Sequence, residues 1–215
     1  MSIKRSAGIW KETLSSGSFK WYFIATVVFS LALAYFAPRV LEWNEFRKGF
    51  SFDDPLLTLF SPIDLTWFTF IALYGGVFIT FHYFSDKPIR FMMGFQAYFF
   101  LLGSRLVAMT FLPLKAPETL IPLYDPFISS LSSGIVLKHD LFFSGHFSVA
   151  ILLSMVVAAK IRKYILVFLA LIMAVFILLQ HVHYTIDIFV APFFSFAIWR
   201  MIVAFNKKIG FTPEV

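Results

Sequence analysis

Apolar residues gather in six long runs, at 21–36, 65–83, 91–112, 142–159, 164–180 and 186–205. Each approaches the roughly 20 residues with which a helix crosses a bilayer. Within a run the apolar residues lie on every side of a helix rather than along one stripe, as lipid-facing segments require. The polar and apolar alternation of a membrane barrel strand is missing. The pattern therefore predicts an all-α, polytopic membrane protein with six transmembrane helices.

Composition agrees, with 60% hydrophobic and 20% aromatic residues among 215 and a mean hydropathy of +0.82. The net charge of +6 invites an anionic partner, but its distribution matters more than its sum. With the N-terminus inside, 12 of the 18 basic residues fall on the inner side, among them Lys4, Arg5, Lys87, Arg90, Lys160 and Arg162. Five fall outside and Arg105 lies within the third run, whereas most acids lie outside. Positive charge stays cytoplasmic, so an N-in/C-in topology follows and nothing calls for nucleic acid. The expected organisation is a cytoplasmic segment 1–20, a six-helix domain 21–205 and a cytoplasmic tail 206–215. Ala32-Leu33-Ala34 after Lys4 and Arg5 imitates a signal-peptide pattern. The long polar stretch before the run favours a retained span. With no cysteine, thiolate sites and disulfides are excluded.

Two longer loops, 37–64 and 113–141, fall on the outer side, while the inner connections are short. Topology then places His146, at the start of the fourth run, and His183, between the fifth and sixth, at one outer boundary. Ionisable groups at membrane depth are costly and usually functional. His183 and Asp187 are four residues apart, which on a first helical turn brings them together. The carboxylate then fixes the ring tautomer and leaves the other nitrogen free to attack. Ser144-Gly145 ahead of His146 fits a helix start, where unpaired N–H groups favour a phosphate. One histidine can attack phosphorus while the other protonates the leaving oxygen.

Asp140-Leu141-Phe142-Phe143-Ser144-Gly145-His146, followed 37 residues later by His183-Tyr184-Thr185-Ile186-Asp187, resembles two motifs of the sphingomyelin synthase family. That family is a branch of the type 2 phosphatidic acid phosphatase superfamily. Arg105-Leu106-Val107-Ala108-Met109-Thr110-Phe111-Leu112-Pro113 resembles its arginine motif, and Ser61-Pro62-Ile63-Asp64 faintly resembles its first. The resemblance spans about residues 60 to 200. It implies a six-helix fold that moves a phospho-headgroup from a glycerophospholipid to ceramide or another lipid alcohol, without a cofactor. His183 would be the nucleophile, Asp187 its orienting carboxylate and His146 the acid/base. Arg105, Ser144, Gly145 and Asp140 would serve the substrate. The broader phosphatase branch carries Lys-x6-Arg-Pro and a Ser-Arg pair that are absent here, with Ile177 at the arginine position. The outer loop lacks a clear counterpart of the synthases' acid, and Asp125 or Glu118 would substitute. A compact bacterial relative is expected, in the inner membrane with its site facing the periplasm, or lumenal in a eukaryote.

Blander readings exist for each residue. A histidine at a helix end can simply be an interfacial hydrogen-bonder, but three such groups at this spacing favour catalysis. His181 and His183 could form a metal pair, although residues two apart on a helix diverge. His82 reads as structural and His139 as a loop residue. Arg105 needs either an ion-pair partner or a substrate phosphate. A lipid phosphate phosphatase with the same triad, and a non-enzymatic carrier or adaptor, remain as alternatives.

Overall fold

The computed structural model describes residues 3–125 and 138–214. The described residues form helices α1 (Ile3–Ser15), α2 (Gly17–Glu45), α3 (Thr66–Phe84), α4 (Pro88–Phe111), α5 (Gly145–Val156), α6 (Lys160–Leu179) and α7 (Thr185–Lys208). Short irregular segments carry a 3-10 turn at Leu57–Leu59 and one isolated bridge, Phe50 to Leu114. Five helices, α2, α3, α4, α6 and α7, are long and apolar enough to cross a membrane. Their outward residues confirm the solvent: Phe78, Phe168 and Phe193 expose 73%, 61% and 62% of their surfaces. Such a surface suits hydrocarbon and would be an aggregation hazard in water.

The run at 142–159 departs from expectation. It folds as α5, 12 residues long, or about 18 Å at the helical rise, against a hydrocarbon core of about 30 Å. Six expected spans thus become five and one shorter apolar helix. Ser144 caps its start, its Oγ accepting from the Phe147 N–H at 3.4 Å, and Val157 ends it by turning to extended backbone. Most of the N-terminal segment is helical, as α1, and α2 runs on past the first apolar run to Glu45 with Pro38 inside it. The expected loop at 37–64 is shortened accordingly. The loop expected at 113–141 includes 126–137, which lie outside the described residues.

α5 is the hub, packed by α7, α6, α4 and α3. α2 lies against α4, and α3 against α6, while α3 and α4, joined by a short turn, meet through the rings of Phe81 and Phe84 against Phe91 and Phe95. A polar chain crosses the bundle where Asn206 donates to Gln96 at 2.7 Å and Gln96 to Thr26 at 2.9 Å. It joins α7, α4 and α2 by interhelical hydrogen bonds, the usual glue where no hydrophobic force drives helices together. The α2–α3, α4–α5 and α6–α7 connections gather at one end, called here the loop end. The α3–α4 and α5–α6 turns form the other, the turn end. There the Glu214 carboxylate accepts from the N–H groups of Ile89 and Arg90 at 3.0 and 2.9 Å. Arg90 also donates to the Val156 carbonyl at 2.8 Å, closing the last turn of α5.

Candidate active site

His183 does not lie inside the first turn of the last helix, as its spacing suggested, but two residues before it. Tyr184 is the N-cap of α7 and Asp187 stands at its third position. The Asp187 Oδ2 accepts from the Tyr184 N–H and meets His183 Nδ1, each at 3.2 Å. The expected pairing therefore forms through helix capping. Both side chains are buried, so the pair is shielded from solvent competition. With Nδ1 turned to the carboxylate, Nε2 is the nitrogen left for chemistry.

The starts of α5 and α7 are bonded together, the Ser144 N–H donating to the Asp187 carbonyl at 3.2 Å. This brings His146, in the first turn of α5, to the His183 side of the bundle. His146 lies within electrostatic reach of His183, Arg105, Asp140 and Asp125, and its ring meets Phe70 edge-on at 5.8 Å.

Arg105 finds both of the partners a buried guanidinium needs. Its Nη2 pairs with Asp140 Oδ1 at 2.7 Å and donates to the Asp140 carbonyl at 2.7 Å, while Nε donates to the Phe143 carbonyl at 2.7 Å. These bonds hold the segment entering α5. The guanidinium rests on Gly145, where an added Cβ would lie 2.8 Å from Cζ and 2.9 Å from Nη1. Glycine is required by this approach rather than by its backbone angles. Arg105 lies six residues inside the end of α4, about 9 Å by the helical rise. The guanidinium thus reaches the starts of α5 and α7 from inside α4, as its place within the third apolar run suggested.

Below Arg105 and His146 opens a cavity of about 450 Å³ between α3, α4 and α5. Its polar groups, including Tyr74, Asp125 and Ser148, mingle with an apolar lining that extends to Phe84, Gly94 and Val156. Asp125 is one of the two outer acids expected from sequence. Its carboxylate accepts from the Tyr74 hydroxyl at 2.8 and 3.0 Å. Glu118, the other, is exposed and does not line the cavity.

Sequence reasoning passed over the residues that brace the site. Asp54, buried in the α2–α3 connection, accepts from the Thr185 N–H at 2.6 Å, the Thr185 hydroxyl at 3.0 Å and the Leu56 N–H at 3.0 Å. It caps α7 from a distance. Phe52 stacks on Tyr184 at 4.2 Å. Gln180, fully buried, bonds Leu65, Thr66 and Ile121. His181 Nδ1 meets the Thr119 hydroxyl at 2.5 Å, so it and His183 address different partners from a turn rather than diverging on a helix. Among the described residues no cluster of three or more metal-ligating side chains occurs. His82 is exposed on the last turn of α3. His139 and Lys138 donate backbone N–H groups to Glu45 at 2.8 and 2.9 Å, fastening the segment before α5 to the end of α2.

No curated protein matches the chain. Residues 139–204, which include His146, His183 and Asp187, match the family described as PAP2 superfamily C-terminal. This match supports the type 2 phosphatidic acid phosphatase superfamily, whose members are phosphatases and phosphotransferases.

Proposed function

We propose that the chain is a membrane-embedded lipid phosphotransferase that moves a phospho-headgroup from a glycerophospholipid to ceramide or another lipid alcohol. The observation that carries this reading is the placing of His146 and Arg105 at the polar head of an otherwise apolar cavity, with the His183–Asp187 pair within electrostatic reach of His146. Charge bias puts the loop end outside the cell. The lipid phosphate sits over the start of α5, where N–H groups and the Arg105 Nη1 meet its oxygens. His183 Nε2 attacks phosphorus, forming a P–N bond as the P–O bond to diacylglycerol breaks. His146 gives its proton to the leaving oxygen. A lipid alcohol then attacks, its proton passing to His146 while the P–N bond breaks and frees His183. Asp187 holds the His183 ring in orientation through both steps.

The test is purified protein in vesicles of labelled phosphatidylcholine, with and without ceramide or diacylglycerol. Label is expected in the acceptor lipid, and His183→Ala is expected to abolish its appearance. Release of free phosphate from phosphatidate with no headgroup transfer would replace transfer by hydrolysis. Turnover surviving in His183→Ala would remove the histidine mechanism altogether.

A further inference from the structure

We propose that the apolar groove beneath Arg105 and His146 is an acyl-chain ruler, with Phe84 as its floor. The inference rests on the reading that a lipid phosphate occupies the polar head. Its depth is given by three helices independently. From Tyr74 to Phe84 on α3, Gly94 to Arg105 on α4 and Gly145 to Val156 on α5 the chain advances ten or eleven residues. Each converts to about 15–17 Å at the helical rise, half the hydrocarbon thickness of a bilayer. The occupant follows from the two ends. A guanidinium and a helix start suit a phosphate, and the long apolar body below suits one hydrocarbon tail of the same molecule. Away from the Phe81, Phe84, Phe91 and Phe95 rings the α3 and α4 backbones make few close approaches, and that seam is where the tail would arrive sideways from the membrane.

The floor is rigid. Phe84 is buried and meets the rings of Phe91 and Phe81 edge-on at 5.7 and 6.4 Å. Gly94 accommodates it, since a Cβ there would stand 2.8 Å from the Phe84 Cζ. A tail moving from bilayer into groove exchanges one hydrocarbon surrounding for another, so hydrophobic transfer scarcely discriminates between lengths. Fit does. A short tail leaves the floor without contact partners, and a long one meets the Phe84 ring and overpacks the groove.

The experiment measures binding of non-hydrolysable phosphonate analogues of phosphatidate, from decanoyl to stearoyl, to the full chain in mild detergent. Wild type is expected to show an optimum length, with affinity falling about tenfold beyond it, the scale of modest overpacking. Phe84→Ala deepens the groove and moves the optimum to longer tails. Leu153 of α5 also lines the groove, so Leu153→Trp fills it partway down and moves the optimum to shorter tails, which keeps the test intact where Phe84→Ala does not fold. A wild-type profile flat in length, an optimum unmoved in both folded variants, or no binding of any analogue overturns the ruler. An optimum that shifts as described in a protein showing no headgroup transfer would sink the transferase reading alone. Transfer without length dependence would sink the ruler alone.

Discussion

Replacing Gly145 with alanine adds one methyl group at the most crowded point of the site. The new Cβ would lie 2.8 Å from Arg105 Cζ, 2.9 Å from Nη1 and 3.1 Å from Nε, well inside the roughly 3.5–4.0 Å of a comfortable contact. Arg105 cannot easily retreat, because Asp140 and the Phe143 carbonyl hold it at 2.7 Å. Either those bonds break or the first turn of α5 shifts and carries His146 with it. Overpacking of this kind costs about 1–3 kcal/mol, and a lost hydrogen bond to a charged group about 1.5–3 kcal/mol. Thermal unfolding in detergent should register the first. A kcat/KM lowered by about tenfold to a hundredfold, the same energies expressed as rate, should register the second. Arg105→Ala provides the control. With the guanidinium gone the methyl has room, and alanine's better helix propensity, up to about 1 kcal/mol over glycine, should make Gly145→Ala neutral or stabilising in that background. Equal effects in both backgrounds, or a wild-type midpoint and rate for Gly145→Ala alone, would refute the steric account.

Asp54→Ala removes the acceptor for the Thr185 N–H, the Thr185 hydroxyl and the Leu56 N–H, so a loss of about 1–3 kcal/mol is expected. Denaturation should show it, and kcat should fall more than KM rises as the His183–Asp187 turn loosens. His181, in the turn before α7, has its pKa lowered from 6.5 by burial, with Asp54 opposing. The unfolded chain takes up this proton at higher pH than the folded one. The stabilisation is therefore complete above about pH 6.5 and is lost as pH falls through the lowered folded value. His181→Gln should flatten that part of the curve of unfolding midpoint against pH, and an unchanged slope would exclude His181 as its source. Gln96→Ala cuts the chain from Asn206 to Thr26. A loss of about 1 kcal/mol is expected from intramembrane hydrogen bonds, measured by unfolding, with KM unchanged because the chain is absent from the cavity lining.

What was legible in the sequence carried a local signature. Apolar runs of spanning length marked the long helices, and the His183 and Asp187 spacing marked their contact, although capping rather than a shared helical face delivers it. The shortness of α5 left no trace, because Phe143 and Val157 are as apolar as a spanning helix requires while lying just outside it, fully buried. Asp54 was one loop acid among several. Its role depends on a loop folding back 131 residues onto Thr185, and no neighbouring residue announces such a return. The choice between Glu118 and Asp125 was likewise open, since only the packing of the α4–α5 connection against Tyr74 separates an exposed acid from one lining the cavity.

One arginine of α4 grips the backbone just before α5, and another grips the carbonyl at its end: Arg105 on Phe143 and Arg90 on Val156. They stand 15 residues apart on one helix, about 22 Å at the helical rise, slightly more than the length of α5 itself. A helix too short to be anchored by both membrane surfaces is thus suspended from its neighbour, and the two behave mechanically as one strut. The remaining wall of the cavity, α3, is tied to α4 near the turn end by Phe81 and Phe84 against Phe91 and Phe95. On the proposed reaction, the histidine that must stay aligned is carried by the strut, and the wall past which a lipid would enter is carried by a separate helix.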